Sequence, residues 1–425
     1  MTLKHPFKGK LNESSLKRML SSSHGNLVSV RPANVSSYQE VFIPFKSGTF
    51  SQLEKLDFLC TNGDGKTFPL SLLCKRYQDA KKREVRDEVR LFKFYDRIFE
   101  GMSPFPKLME YTINNKALLR EFIEGVTLEE ALEKFDKLIL EKKDILHNSQ
   151  DSIERKKSQS EQYRLQRNRE SLKNAVLNLL ATIHHHGTES KVDLSEMGGI
   201  QKYKIAKPDV VYYANDFASH FEKLLRKLNE KRNLNLSQGK ISELRQDVYE
   251  IFCDSPISQY IGKARDALIL GDCHLNNFIV YEYINSGYNG GDSDIYSASE
   301  VQVISESLVK HITFIDLGKA RVGASASDIA DLSIYPEFSS SVWDNRNYVR
   351  TYLNQLSRLQ GRVMPSEESF EFERGTHYFA IVRALHAADV HPDHQEKNLN
   401  RLLEELEDDS KLSRLKDALE VLYHK

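Results

Sequence analysis

Leu270-Gly-Asp-Cys-His-Leu-Asn-Asn277, read together with Ile315-Asp-Leu-Gly318 further along, is the stretch on which the reading of this chain turns. Each half places an aspartate at the end of an apolar, strand-like run, Ala267 to Leu270 in the first and His311 to Ile315 in the second. A strand end is a rigid support for a side chain that must be aimed. Taken singly, either acid has an ordinary explanation: Asp272 caps a turn, and Asp316 closes a strand. Taken in order, Asp272, Asn277 and Asp316 supply one carboxylate able to orient an acceptor hydroxyl and two oxygen ligands for a hard divalent cation on a phosphate chain.

The full pattern is Gly-Asp-x-His-x-x-Asn, a strand, Ile-Asp-x-Gly, and then Asp328-Ile-Ala-Asp-Leu332. It resembles the aminoglycoside phosphotransferase and choline kinase group of protein-kinase-like enzymes. The resemblance implies an α+β, two-lobed protein-kinase-like fold with a small β-rich N-lobe and a large, mainly helical C-lobe. It implies Asp272 as the catalytic base, Asn277 and Asp316 as metal ligands, ATP and Mg²⁺ as cofactors, and a hydroxyl on a small aminoglycoside-, choline- or sugar-like molecule as acceptor. Leu270 stands where the family usually has a histidine that helps to shape the loop. Only fourteen residues lie between Asp316 and Asp331, with no Ala-Pro-Glu signature, so there is no room for the peptide platform of ordinary protein kinases. An atypical protein or lipopolysaccharide kinase lacking that platform stays open, as does a nucleotide-binding pseudokinase that serves as an interaction module.

Composition narrows the classes. The 425 residues are 40% hydrophobic and 28% charged, ordinary for a globular protein, and long enough for more than one lobe. With 60 basic against 61 acidic residues the net charge is -1, so no global field favours nucleic acid or a membrane surface, and neither is expected as a partner. Four cysteines without Cys-x-x-Cys spacing predict free thiols and a cytoplasmic setting. The N-terminus lacks the apolar core of a secretory signal, and no apolar run reaches the about eighteen residues of a membrane span.

Three regions are expected: an irregular lead-in over 1–38, the N-lobe over 39–122, and the C-lobe with helical substrate-binding insertions over 123–425. Val41 to Phe45 and Gln52 to Leu59 alternate like strands, joined by a small-residue turn whose Gly48 is a candidate for laying backbone N–H groups over phosphates. Asn62-Gly-Asp-Gly65 predicts a tight hairpin into Phe68 to Lys75. Lys75, near the end of that strand, occupies the place of the phosphate-gripping lysine in kinase-like sequences. Ala80 to Phe99 predicts a helix in which Glu88 pairs with Lys75, with Glu84 the alternative one turn earlier. Lys107 to Tyr111 and Ala117 to Phe122 predict a hairpin, and Leu118 to Gly125 resembles the inter-lobe linker, whose backbone from Glu121 to Ile123 would meet an adenine edge.

Beyond it, Thr127 with Glu130 forms a helix-start signal. Ile153 to Lys173 carries a basic run, read chiefly as an exposed helix. Three consecutive histidines, His184 to His186, invite a zinc reading, but neighbours on a helix point about 100° apart and cannot share one ion. Helices are predicted near Asp209 to Asn229, Ile241 to Phe252, Glu371 to Ala388 and Leu399 to Tyr423, with an expanded loop over Asn285 to Ser299. Tyr203, Tyr212, Tyr213 and Asp216 are candidate substrate contacts. Glu404, Glu405, Glu407, Asp408 and Asp409 form an acidic cluster, read mainly as a solvated helix face.

Overall fold

The computed structural model describes residues 7, 12–24, 27–33, 43–47, 51–77, 82–99, 103–114, 116–189, 209–263, 266–281, 312–335, 337–339, 342–390, 395–407 and 410–423. Gly48, Tyr203, Asp408, Asp409 and the Asn285 to Ser299 loop lie outside the described residues, and so does the Glu84 side chain. The chain divides into two compact units. One comprises Met1–Gly125, Val192–Lys202 and Thr313–Gly318; the other comprises Val126–Lys191, Tyr203–Ile312 and Lys319–Lys425. The first is β-rich, the second mainly helical, so the α+β class with one small sheet-based and one large helical unit is what the chain forms.

The β-rich unit is built on a sheet of strand order β1-β3-β4-β6-β5, with β2 also on β3: β1 Leu27–Pro32, β2 Ile43–Ser47, β3 Ser51–Asn62, β4 Thr67–Tyr77, β5 Leu108–Thr112 and β6 Ala117–Glu121. Strands β3 and β4 pair antiparallel from Ser51↔Tyr77 to Thr61↔Thr67. Their turn has Gly65 at φ +77°, and the Asn62 side chain accepts the Lys66 amide at 2.9 Å. Only glycine takes that angle without strain, so the Asn-Gly-Asp-Gly signal fixes the register that carries Lys75. Helix α2 (Lys82–Ile98) follows. It buries Val85, Val89, Leu91, Phe92 and Tyr95, and the Tyr95 ring packs on Phe105 with centroids 4.4 Å apart.

The irregular lead-in expected over 1–38 is corrected by helix α1 (Glu13–His24) and strand β1. Leu16 and Leu20, four apart on one helical face, are fully buried with Leu27, Val30, Phe58, Cys60, Leu72 and Cys74. A few well-spaced apolar residues outweigh a polar composition once a sheet offers them a face to cover.

In the helical unit, strand β7 (Val126–Thr127) runs into α3 (Leu128–Asn148). Thr127 and Glu130 form the reciprocal capping box that the sequence promised. Helix α4 (Ser152–Glu189) joins the basic run and the buried Val176 to His184 segment into a single element. Its first turns are largely exposed, and from Leu172 onward it enters the core. Helices α5 (Val210–Arg232), α6 (Gln238–Asp254) and α7 (Pro256–Lys263) precede β8 (Asp266–Ile269) and β9 (Phe278–Val280). After β10 (Ile312–Phe314) come β11 (Arg321–Ala324), α8 (Ala326–Ser333), α9 (Val342–Gln360), α10 (Ser366–Val390), α11 (Gln395–Glu407) and α12 (Ser413–Leu419).

Strands β8 and β11 pair antiparallel, Arg321 opposite Ile269 and Ala324 opposite Asp266. Helix α4 passes so close to this ribbon that a Cβ on Gly187 would sit 2.7 Å from the Leu268 Cβ. Helix α10 is apolar nearly all round over Tyr378 to Ala388 and forms the centre of the unit. The acidic stretch on α11 is not wholly solvated as read from sequence: Glu405 is fully buried, 2.8 Å from the Arg401 guanidinium and 2.6 Å from His377 Nδ1. No helix among the described residues is long and apolar enough to cross a membrane.

Candidate active site

In the β-rich unit, side chains far apart in sequence meet at one point. Lys75 on β4 and Glu88 on α2 are both buried, and Lys75 Nζ donates to Glu88 Oε1 and Oε2 at 3.2 and 3.3 Å. The same ammonium donates to Asp316 Oδ1 at 3.2 Å, across 241 positions of chain. Asp316 is placed by what precedes it: the Phe314 amide donates to Pro104 O at 3.1 Å, and the Phe314 ring stands edge-on to Phe105 at 6.3 Å. Arg120 on β6 donates to the Ile315 carbonyl, and the Gly318 amide donates to Asp316 Oδ1 at 2.9 Å.

The electrostatics follow from this packing. Burial works against the Lys75 charge, but Asp316 and Glu88 outweigh it and hold the ammonium above its ordinary value. Burial likewise opposes the Asp316 carboxylate, yet Lys75, the Gly318 amide and Arg120 keep it below the usual range. Exposure separates the two acids: the Glu88 side chain is 1% exposed and Asp316 38%. Asp316 is therefore the acid open to an incoming ligand, and Glu88 the internal anchor. Tyr77, two residues past Lys75 and on the same face of β4, donates its hydroxyl to Glu88 Oε2. Sequence reasoning missed Tyr77, although the alternation of a strand already put it beside Lys75.

The linker stretch offers less than was expected. The Glu121 amide is taken by Lys107 O at 2.9 Å and the Phe122 amide by Ser71 O at 3.1 Å, which leaves the Ile123 amide as its donor.

In the helical unit, the loop after β8 is suspended from helix α8. Asp328 Oδ2 accepts the Leu270 amide at 2.7 Å, and Oδ1 accepts the Gly271 amide at 2.9 Å. Asp331, one turn later on the same helical face, accepts the Cys273 amide at 3.2 Å and pairs with Arg383 Nε at 2.6 Å. His184, at the buried end of α4, lies 3.0 Å from Asp328 through Nε2 and 2.9 Å from the Tyr352 hydroxyl through Nδ1. The first of the three histidines is thus a structural strut, in keeping with the non-zinc reading. Leu270 is itself buried, and the imidazole beside the loop comes from His184.

Gly271 has φ +72°, and a Cβ there would lie 2.6 Å from the Lys319 carbonyl oxygen. Asn277 closes the loop by donating Nδ2 to the Asp272 carbonyl at 2.9 Å, which leaves its amide oxygen as an acceptor. Asn276 Nδ2 donates to Glu129 of α3 at 2.5 Å. Burial opposes the charge on Asp328, but His184 and the two loop amides hold its carboxyl below the usual range. Burial also raises Asp331; Arg383 resists, while Asp328 and Asp272 add to the rise, and its carboxyl is pushed up to about 7. Sequence reading had Asp328 and Asp331 as the last part of the motif pattern and the opening of a helix, with no partner named for either. Arg383 carried no signal.

The candidate substrate contacts lie in this unit as well. Tyr212 is half exposed and Tyr213 buried, and the Arg321 guanidinium lies 5.5 and 6.0 Å from their ring centroids. The Asp216 carboxylate is 3.7 Å from His220 Nε2. A cavity of about 500 Å³ between α7, α9 and α10, lined by Tyr260, Phe372 and Tyr378 among others, contains none of the residues singled out from sequence.

Among the described residues, no three His, Cys, Asp or Glu side chains converge so as to hold a metal ion by themselves. The ionised Asp316 carboxylate in the β-rich unit and the Asn277 amide oxygen in the helical unit are each a donor of the kind that a hard divalent cation takes.

Neither a family model nor a curated protein matches the sequence. Solved structures do align with it. A choline kinase from Cryptosporidium parvum Iowa II is 13% identical over 91% of this chain and 96% of that chain, with a TM-score of 0.47. An ADP-bound aminoglycoside phosphotransferase, APH(2'')-Ib, is 15% identical over 90% and 94%, with a TM-score of 0.44. A Plasmodium vivax ethanolamine kinase is 15% identical over 97% and 89%, with a TM-score of 0.42. Likeness at this level assigns no residue a role; the roles rest on the side chains themselves.

Proposed function

We propose that this chain is an ATP-dependent phosphotransferase that moves the γ-phosphoryl group of ATP to a hydroxyl of a small molecule. The observation that carries the reading is the meeting of Lys75, Glu88 and Asp316: two acids picked out by resemblance stand within hydrogen-bond distance of the Lys75 ammonium. An ammonium fixed by a buried acid on one side and facing a partly exposed acid on the other is suited to the α and β phosphates, with Asp316 released to a cation.

In this reading Asp272 orients the acceptor hydroxyl and takes its proton as the new P–O bond forms and the bond from the γ-phosphorus to the β–γ bridging oxygen breaks, releasing ADP. Proton transfer is late in a loose transition state, so Asp272 needs no raised pKa. Asn277 and Asp316 hold Mg²⁺, which neutralises the charge of the phosphates. The linker from Glu121 to Ile123 meets the adenine through the Ile123 amide. The acceptor belongs with the hydroxylated molecules that choline kinases, ethanolamine kinases and aminoglycoside phosphotransferases are named for. Free thiols at Cys60, Cys74, Cys253 and Cys273 suit the reducing cytoplasm.

The test is ADP release from Mg²⁺ and ATP against a panel of choline, ethanolamine, sugars and aminocyclitols. Acceptor-dependent release that Asp272→Ala lowers by about three orders of magnitude is expected, at the strong end of general-base effects. Turnover unchanged in that variant removes Asp272 as the base.

A further inference from the structure

Arg383 lies on α10, more than a hundred positions beyond the Gly-Asp loop and outside every motif. We propose that Arg383 is a positioning residue for Asp272: paired with Asp331 and reaching the Gly271 carbonyl, it holds the Leu270 to Cys273 backbone in its presenting shape, and protonation of Asp331 releases that hold. The proposal rests on the reading of Asp272 as the base, but its geometry stands without it.

The argument begins with the backbone on either side of Asp272. The amides of Leu270 and Gly271 end on Asp328, the Cys273 amide ends on Asp331, and the Gly271 carbonyl lies 3.5 Å from Arg383 Nη2. Arg383 thus reaches the loop in two ways, once through Asp331 and once at a carbonyl, as the cation among these groups. Its guanidinium is a fixed fork with donors at both ends, which a single carboxylate does not exhaust.

The charges around Asp331 make that fork decisive. Facing it are Arg383 from α10, Asp328 from its own helix, Asp272 and the Cys273 thiol from the loop, Tyr335 just beyond α8, and Tyr213 from α5. Of these only Arg383 brings positive charge; His184 answers Asp328. Burial and two neighbouring carboxylates push Asp331 toward its neutral form, to about 7, with Arg383 in place. A protonated Asp331 loses its charge, and its O–H must sit on an oxygen that already accepts from Arg383 or from the Cys273 amide, so the charge-assisted hold on the loop weakens. The proton that switches the loop off on the acid side is then carried by Asp331 rather than by Asp272.

Backbone hydrogen exchange reads this without any acceptor. In the full chain, protection of the Gly271 and Cys273 amides, corrected for intrinsic exchange, is measured from pH 6 to 8.5 for wild type, Arg383→Lys, Arg383→Met and Asp331→Asn. Wild type is expected to lose protection as pH falls through about 7. Arg383→Met should show about tenfold lower protection at pH 7.5 with the transition moved to higher pH, Arg383→Lys should lie between the two, and Asp331→Asn should lose the pH dependence. Equal protection in wild type and both arginine variants, or a pH dependence that survives in Asp331→Asn, overturns the proposal. Where Arg383→Met fails to fold, the lysine variant and Asp331→Asn decide. With an acceptor in hand, the acid limb of kcat moves with the same transition while the KM for ATP stays put. The exchange pattern without any transfer from ATP would defeat the phosphotransferase reading and leave the grip of Arg383 on the loop standing.

Discussion

The Lys75 cluster and the Asp272 loop hold their acids by opposite means. Around Lys75, charge answers charge: one ammonium serves Glu88 and Asp316, side chain to side chain. Around Asp272, the carboxylates of Asp328 and Asp331 answer backbone amides, with Arg383 paired to Asp331 behind them. A side-chain cluster can trade partners when a ligand arrives, because an exposed acid such as Asp316 can leave the lysine for a cation. A backbone clamp cannot trade partners without changing shape. The first arrangement suits binding, and the second suits presentation of one group in one direction.

That contrast can be broken by substitution, beginning with the largest effect. Asp328→Ala strands a buried amide, a half-buried amide and a buried imidazole at once, and a cost of about 4 kcal/mol or more, read by denaturant titration, is expected. A cost under about 1 kcal/mol there would mean that the clamp is decorative. Lys75→Met leaves Glu88 buried against its remaining tyrosine partner and should cost about 3 kcal/mol. Because that region balances charge with charge, Lys75→Met combined with Glu88→Gln should recover part of the loss, whereas no second substitution restores Asp328→Ala. Additive losses in the Lys75 and Glu88 pair contradict the distinction.

Gly271→Ala adds a Cβ 2.6 Å from a carbonyl oxygen at a positive φ, and about 2 kcal/mol of destabilisation is expected. The same substitution at Gly65, where φ is +77° and the space is open, should cost only the conformational part, about 1 kcal/mol. Equal losses at the two glycines would show that the loop yields where the account makes it rigid.

Acid titration gives the smallest signal and the clearest sign. Asp328 and Asp316 ionise more readily in the fold than their ordinary value of 3.8, so each contributes stability that is present above that pH and lost as pH falls. Asp331 does the reverse: its raised carboxyl opposes the fold progressively from about 4 to about 7. Asp331→Asn should therefore flatten the stability curve between those values, and Asp328→Asn should flatten it below them. Midpoints measured across pH 3 to 8 separate the two.

What the sequence made legible was chemistry in which one residue type at one spacing has a single use. Asn62 to Gly65 required a hairpin and fixed the register of Lys75. Thr127 with Glu130 required a helix start. Lys75, Glu88 and Asp316, chosen by resemblance, meet in the β-rich unit, and Asp272 and Asn277 share the loop of the helical unit. Illegible were partners whose role depends on tertiary neighbours. Arg383 carried no signal and Glu405 read as part of a solvated helix face, because nothing in their local pattern marks which face turns inward. The N-terminal residues read as loose because Leu16 and Leu20 are few, and only the sheet beneath them gives them something to bury against. His184 carried its signal in plain view, but two further histidines beside it obscured which one packs inward.

The proposed function has Asn277 and Asp316 serve one nucleotide-bound cation. Calorimetric titration of ATP with and without Mg²⁺, in wild type, Asn277→Ala, Asp316→Ala and the double variant, tests it most directly. Each single substitution should remove most of the Mg²⁺-dependent gain in affinity, and the double variant should lose little more than either, because the two losses describe the same ion. Independent, additive losses, or a gain that survives either substitution, would contradict it.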